Sequence, residues 1–258
     1  EDAFDVELMR EIIQPESVTW RIEDETVGYI RISTFNERTT LLLEEARHAI
    51  QDELDQNPRG IVLDLRNNGG GLLEQAVGVS SAFLSGGDVV STKGRRPDQI
   101  ATYTAQTGRA FEDIPVVVLI NGGTASASEI VAGALQDRQR ALIIGETSFG
   151  KGSVQTVVPL AKDLAIKLTT ARYFTPNGRS IQAQGIVPDI VVERAKIETI
   201  KTRSRITEAD LQGHLSSSDG DESGSKEREN KTDADLITKD NQLYEALNLL
   251  KGLRQIFQ

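Results

Sequence analysis

The sequence predicts an α/β protein on a mixed sheet, with β-rich additions at both ends. Two patterns carry that expectation. Through the middle of the chain, short apolar runs with strand character alternate with segments whose apolar residues recur at helical spacing. Toward the ends the runs come in pairs, as the strands of hairpins do. No repeat of fixed period is present.

Taken in order, residues 4–12 set Val6, Leu8 and Arg10 against Asp5, Glu7 and Met9, a strand alternation that leaves its inner face open. Residues 18–22 and 27–32 read as a hairpin around Glu23-Asp-Glu-Thr26. Over 39–54, Leu42, Ala46, Ala49, Ile50 and Leu54 form one helical stripe, and Asn57-Pro58 stops the helix. Residues 60–66 are a short apolar strand, and Asn67-Asn-Gly-Gly-Gly71 turns the chain into a helix over about 72–84. Strands are expected at 88–92, 116–120 and 141–144, with a helix over 129–135. Residues 154–159 and 165–174 read as longer paired strands, and 190–192 as the last strand of this core.

Composition changes near Glu193. Residues 216–233 are Ser, Gly, Asp, Glu and Lys with almost no apolar side chain, the make-up of a flexible loop. Order is expected to return at Asp240, a good N-cap, after which Leu243, Leu247, Leu250 and Leu253 share a helical stripe with Ala246. That stripe docks either on the chain's own core or on a second copy.

The chain has 258 residues, enough for a substantial core, and a net charge of −10 from 29 basic and 39 acidic residues. That balance argues against a nucleic-acid partner, which calls for a basic face. No apolar run approaches the roughly 20 residues a transmembrane helix needs. No signal-peptide pattern begins at Glu1, which leaves export open. Without cysteine, disulfides, thiolate catalysis and Cys-ligated zinc are excluded. His48 and His214 are far apart and no H-E-x-x-H occurs, so a histidine metal site is not expected.

Two stretches carry chemistry. Asn121-Gly-Gly-Thr-Ala-Ser126-Ala-Ser-Glu129 is a small-residue turn between an apolar run and a helical pattern. It presents a serine at a helix N-terminus, where backbone N–H groups are free to bind an anion. Phe149-Gly-Lys151-Gly-Ser-Val-Gln155 wraps a lysine in glycines. Residues 145–151 also match most of a phosphate-binding loop. However, Gly152 stands where Ser or Thr should reach Mg²⁺, and a β-branched run follows instead of a helix. Ser148-Phe-Gly-Lys151 spells S-x-x-K without the companion S-D-N and K-T-G elements, and the G-x-S-x-G of a nucleophile elbow is absent. Singly, each glycine-rich stretch reads as a tight turn.

Together they suggest a nucleophile and its base. A hydroxyl at Ser126 needs a base within hydrogen-bond reach, and lysine serves only when neutral. An amine titrates near ~10.4 in water, and full burial lowers that by up to about 3–5 units. Glycines beside Lys151 and nearby apolar strands suit such desolvation. Gln155, four residues on, would share a strand face with Lys151 and hold its amine without adding charge. The N–H of Ala127 is placed to stabilise an oxyanion, with a second donor from Gly70 or Gly71.

In this order the motifs resemble the C-terminal processing peptidases, or tail-specific proteases. The resemblance covers roughly residues 4–193. It is carried by Val27-Gly-Tyr-Ile-Arg-Ile32, Leu63-Asp-Leu-Arg-Asn-Asn-Gly-Gly-Gly71, Gly123-Thr-Ala-Ser-Ala-Ser-Glu129, Gly145-Glu-Thr-Ser-Phe-Gly-Lys-Gly152 and Gly185-Ile-Val-Pro-Asp189. It implies a serine endopeptidase acting through an acyl-enzyme, with Ser126 as nucleophile, Lys151 as general base, Gln155 as the lysine-orienting residue and no cofactor. Ser128 is then not the nucleophile, and Glu129 and Asp137 are structural supports.

The implied fold is crotonase-like, with stacked β-β-α units and a small mixed cap. On that basis 1–34 holds the end of a PDZ domain and cap strands, and 35–160 is the protease core. Residues 161–205 are the later strands of core and cap, and 206–258 are an acidic linker and terminal helix. Only the tail of the PDZ module is expected before the core. The terminal segment resembles Gram-negative bacterial members. That implies a periplasmic setting, protein or peptide substrates, a homo-oligomer through the terminal segments and a lipoprotein adaptor. The competing readings are a non-proteolytic binding protein on this scaffold, a crotonase-type acyl-CoA enzyme, and a core misaligned until a partner binds.

Overall fold

The computed structural model describes residues 9, 16–96, 98–106, 110–111, 113–162, 164–198 and 236–256. In chain order the elements are β1 (Val18–Glu23), β2 (Val27–Ile32), α1 (Thr39–Leu54), β3 (Gly60–Asp64), α2 (Leu73–Phe83), β4 (Asp88–Gly94) and β5 (Ile100–Thr104). There follow β6 (Val116–Ile120), α3 (Ala127–Asp137), β7 (Leu142–Gly145), β8 (Ser153–Ala161), β9 (Leu164–Phe174), β10 (Ile190–Val191) and α4 (Asn241–Ile256). Apart from residue 9, the strand expected over 4–12 lies outside the described residues, as does the polar tract over 216–233.

The larger sheet has the order β1-β2-β3-β6-β7-β10. β1 and β2 are an antiparallel hairpin, and every other pairing is parallel. Residue parity decides what covers each face. Ile30, Ile61, Leu63, Val116, Val118 and Ile143 pack with the buried side chains of α1, α2 and α3. Their neighbours Tyr29, Val62, Val117, Leu119 and Ile144 pack with Leu243, Ala246, Leu247 and Leu250 of α4. The stripe on α4 thus docks on the chain's own core. A sheet covered on both faces needs continuous apolar runs, which is why β3 and β6 read that way.

A second sheet, ordered β5-β4-β9-β8, is antiparallel throughout and far more exposed. Two details differ from the sequence expectation. In α1 the buried residues are Thr39, Leu43, Ala46 and Ile50, so Leu43 takes the place expected of Leu42. Three consecutive leucines, 41–43, let the stripe rotate by one residue. β5 was not anticipated, because its residues are nearly all exposed and carry no apolar alternation. β1 and β2 form the outer pair of the main sheet. A boundary at 160/161 would cut the β8–β9 hairpin.

The parallel strands β2, β3, β6 and β7 point their carboxyl ends the same way, which is where open α/β sheets place their sites. α4 is fastened beside that edge by charge. Arg66 donates to Asp240 Oδ1 at 2.8 Å and Oδ2 at 2.7 Å, and to Asp64 Oδ2 at 2.6 Å. Asp64 is fully buried and also accepts the Tyr29 hydroxyl at 2.7 Å. Burial next to that carboxylate pushes Tyr29 up to about 12. Asp240 caps α4 as expected, accepting the Leu243 N–H at 3.1 Å.

Burial opposes charge on Asp240, but the hydrogen bonds and charge of Arg66, with the Leu243 N–H and the charge of Arg194, hold its carboxyl below the ordinary 3.8. A depressed carboxylate contributes stability that is full above its unfolded value and is lost as pH falls through its folded one. Urea unfolding across pH should therefore show a constant stability difference between the parent chain and Asp240→Asn above pH 3.8. That difference should shrink as the pH is lowered further. A difference that shrinks near neutrality would contradict the ion pair.

Candidate active site

Three turns meet at the carboxyl edge of the sheet: residues 67–71 after β3, 121–126 after β6 and 145–151 after β7. The first two are laced together. Asn67 N–H donates to Asn121 Oδ1 at 2.9 Å, and Asn121 Nδ2 returns a bond to Asn67 Oδ1 at 3.0 Å. Thr124 Oγ1 donates to the Leu65 carbonyl at 2.8 Å. The buried Asn68 is the pin between them. Its carbonyl accepts the Ala125 N–H and the Ser128 hydroxyl, and its amide donates to the Ile32 carbonyl. Ser128 is thereby committed to structure.

Ser126 stands between β6 and α3 with φ +58° and ψ −115°, a strained conformation for a residue with a side chain. The strand–turn–helix geometry of a nucleophile elbow is thus present without the G-x-S-x-G pattern. Close packing explains why residue 70 is glycine. A Cβ there would lie 2.8 Å from Ser126 Cβ and 2.9 Å from the Ala127 nitrogen, at a φ of +94°.

The Ala127 N–H, first of its helix, meets no acceptor among the described residues, so it remains available to a ligand. The same holds for Gly71. Gly70 differs: its N–H donates to Asn68 Oδ1 at 2.9 Å. Of the two glycines expected as the second oxyanion donor, Gly70 is occupied within the turn and Gly71 has the free group.

Glu129 joins the three parts. Its side chain is completely buried, yet it accepts four hydrogen bonds. Oε2 takes the Ser126 N–H at 2.7 Å and the Lys151 N–H at 2.9 Å. Oε1 takes the Ser148 hydroxyl and the Gly150 N–H, both at 2.6 Å. One carboxylate oxygen therefore links the backbones of the expected nucleophile and base. Sequence reading left Glu129 as a generic support. The signal was the S-x-x-E spacing of a capping box, Ser126 to Glu129.

The lysine turn is held on its other side as well. Phe149 N–H donates to the Thr124 carbonyl, Ala183 N–H to the Gly150 carbonyl and Ile186 N–H to Ser148 Oγ. Gly150, at φ +88°, leaves room for the backbone of 183–185, where an added Cβ would lie 3.1–3.2 Å from main-chain atoms.

The side chains are less settled than this backbone. Lys151 is exposed, so the enclosed apolar setting expected for it is absent in this structure. Gln155 is exposed too, and the β8–β9 pairing slips register between Val154 and Gln155. Among the described residues no hydrogen bond joins Lys151 to Ser126 or to Gln155. Nor do three or more His, Asp or Glu side chains converge as a metal site would.

Comparison with known proteins gives this edge a context. Residues 26–192 match the family model described as Peptidase family S41. The chain is 46% identical over 256 residues to a carboxy-terminal-processing protease of Bartonella bacilliformis, covering 96% of this chain and 57% of that protein. It is 42% identical over 194 residues to a carboxyl-terminal-processing protease of Synechocystis sp., covering 74% and 44%. The chain thus spans about half the length of the curated relatives it matches. Among solved structures it superposes on a photosystem II D1 C-terminal processing protease. The TM-score is 0.63 at 37% identity, covering 71% of this chain and 50% of that one. The crotonase-like α/β core expected from the sequence is the fold these proteins share.

Two substitutions test the geometry. Glu129→Gln replaces one acceptor oxygen with a donor that faces N–H groups. It should lower unfolding free energy by about 3 kcal/mol in urea titrations, the scale of losing charge-assisted bonds to a buried group. Gly70→Ala should slow acylation of Ser126 by a serine-reactive probe by about 100-fold, because the new methyl group displaces the oxyanion turn. An unchanged rate would place that turn outside the reaction.

Proposed function

The chain belongs to peptidase family S41, and from that premise we propose that it carries the hydrolytic centre of a carboxy-terminal-processing serine protease. The observation that supports this most directly is the carboxylate oxygen of Glu129 shared by the N–H groups of Ser126 and Lys151. It holds a strained serine and a lysine in fixed relation beside unengaged backbone donors. Neither an acyl-CoA enzyme nor a passive binding surface calls for that arrangement.

The proposed reaction follows from these groups. Ser126 Oγ attacks the carbonyl carbon of an extended peptide while a neutral Lys151 Nζ takes the hydroxyl proton. The negative charge that develops on the carbonyl oxygen is met by the N–H of Ala127 and of Gly71, reinforced by the N-terminal end of α3. Lys151 then delivers its proton to the departing amine, leaving an ester on Ser126. Water, deprotonated by the neutral Lys151 amine, attacks the ester; the bond to Ser126 Oγ breaks, Lys151 returns the proton to that oxygen, and the acyl product leaves as a carboxylic acid that ionises in solvent.

For this cycle the exposed Lys151 side chain has to swing toward Ser126 and lose water, since burial is what favours a neutral amine. Gln155 supplies a carbonyl oxygen to hold it there. The substrates proposed are protein C-terminal regions or poorly folded chains. A periplasmic setting, a homo-oligomer and a lipoprotein adaptor belong to the same proposal and rest on the family resemblance. Because the α4 stripe is buried on the chain's own sheet, an oligomer would use other surfaces.

Cleavage of an unstructured protein by the chain, beside Ser126→Ala and Lys151→Ala, decides the reading. The parent should degrade it, and each variant should be slower by about four orders of magnitude, the scale seen when an activated nucleophile or its base is removed. Equal cleavage by Lys151→Ala would remove the lysine from the mechanism. Acylation of Ser126 in the parent without cleavage would identify a competent nucleophile that lacks a substrate-holding element.

A further inference from the structure

We infer that Arg66, Asp240 and the first turn of α4 are positioning elements for the reaction proposed above, coupling the docking of the C-terminal helix to the oxyanion turn and the lysine turn. The inference rests on that reading for its consequence in activity, but the coupling itself is structural.

Arg66 immediately precedes the 67–71 turn. Its guanidinium is fully engaged. Nε and Nη2 bond Asp64, Nη1 and Nη2 bond Asp240, and Nη1 also bonds Gln242 Oε1 at 3.0 Å. Its backbone is held too, with its N–H on Asp64 Oδ1 at 2.9 Å and its carbonyl accepting from Arg31. Two cations, Arg31 and Arg66, are balanced here by two anions, Asp64 and Asp240. Only Asp240 comes from α4. Losing the Asp240 carboxylate while α4 stays on the sheet removes one negative charge and leaves half of the Arg66 fork unpaired in a site where its side chain is 11% exposed. An uncompensated, largely buried guanidinium is costly. Rotating Arg66 outward relieves it, and that rotation acts on Asn67 and Asn68, which bind the serine turn.

The same helical turn reaches the other side. Asn241 and Gln242 are buried polar residues at the start of a helix, where solvation would be ordinary. Asn241 Nδ2 donates to the Glu193 carbonyl at 2.8 Å, and Gln242 Nε2 to the Val192 carbonyl at 2.7 Å. Those residues hold the start of the lysine turn in turn. Val192 N–H donates to the Gly145 carbonyl at 2.9 Å, and Arg194 N–H to Glu146 Oε1 at 3.1 Å. Three consecutive side chains, the Asp240 cap and the first two residues of α4, therefore bridge Arg66 after β3 and residues 192–193 after β10, beside the edge where both turns begin. The apolar stripe of α4 would dock the helix without them. Their polar contacts fix where its first turn sits.

Hydrogen exchange of the whole chain and acylation of Ser126 by a small sulfonyl fluoride, in the parent, Asp240→Ala and Asp240→Glu, test this. Asp240→Ala should raise exchange in 67–72 and 145–152 by about 10-fold, with the central strands β3 and β6 unchanged, as for a local opening. Acylation, and kcat on a peptide, should fall by about 10-fold with KM within about twofold, as expected when only transition-state contacts loosen. Asp240→Glu should restore most of both. Unchanged exchange in 67–72 and 145–152 overturns the inference whether or not α4 has undocked. So does a loss carried in KM alone. A parent chain inert to acylation and to peptide would sink the serine-lysine reading, while the exchange arm would still decide the coupling.

Discussion

A single buried carboxylate sets the geometry on which the rest of this edge depends. Glu129 lies in the first turn of α3, where the helix end favours negative charge, and four donors from two separate chain segments converge on it. Two of those donors are the backbone N–H groups of Ser126 and Lys151. Because both bond the same oxygen, the two main chains cannot drift apart without stripping a buried acceptor of its partners. Such loss costs more than the bonds themselves contribute, since the carboxylate has no water to turn to.

The strain at Ser126 is understandable in that light. A non-glycine residue at positive φ costs of order 1–3 kcal/mol and persists only where its surroundings over-determine it. Here the surroundings do so from three directions. Glu129 holds the N–H of Ser126, Asn68 holds Ala125 and Ser128, and α3 is buried along most of its length against α2 and the sheet. The glycines follow from the same crowding. Gly70 brings main chain against the serine, and Gly150 and Gly152 bring the lysine turn against the 181–185 backbone. The closeness of the two turns, more than flexibility, is what these glycines supply.

Much of this was legible in the sequence where the pattern had one physical solution. Continuous apolar runs flanked by small-residue turns gave β3 and β6, and the Asp240 cap with its leucine stripe gave α4. Legibility failed where solutions were degenerate. Leu41, Leu42 and Leu43 fit a helical stripe in more than one rotation, and the sheet chose Leu43. The exposed β5 owes its existence to pairing with β4, which leaves no mark of its own in apolar periodicity. Spacing brought Ser126, Lys151 and the 67–71 turn together, but could not show that the Gly70 N–H is spent on Asn68. The fourfold role of Glu129 is a long-range contact spanning 22 residues. Its sequence trace was only the local capping box.

The contrast between fixed backbone and free side chain has a mechanistic consequence. Ser126, Ala127 and the 67–71 turn are set by hydrogen bonds that substrate need not form, so in the proposed reaction the nucleophile and the oxyanion donors are organised in advance. Lys151 is organised only to its α-carbon. Moving its amine from solvent to Ser126 requires ordering a four-carbon chain, which costs up to about 2 kcal/mol of rotamer freedom, and removing water from a cation. In the proposed reaction, the energetic threshold between the exposed lysine and a working dyad therefore lies in ordering and desolvating that side chain. Whatever excludes water above Lys151, the substrate chain included, is what completes the base.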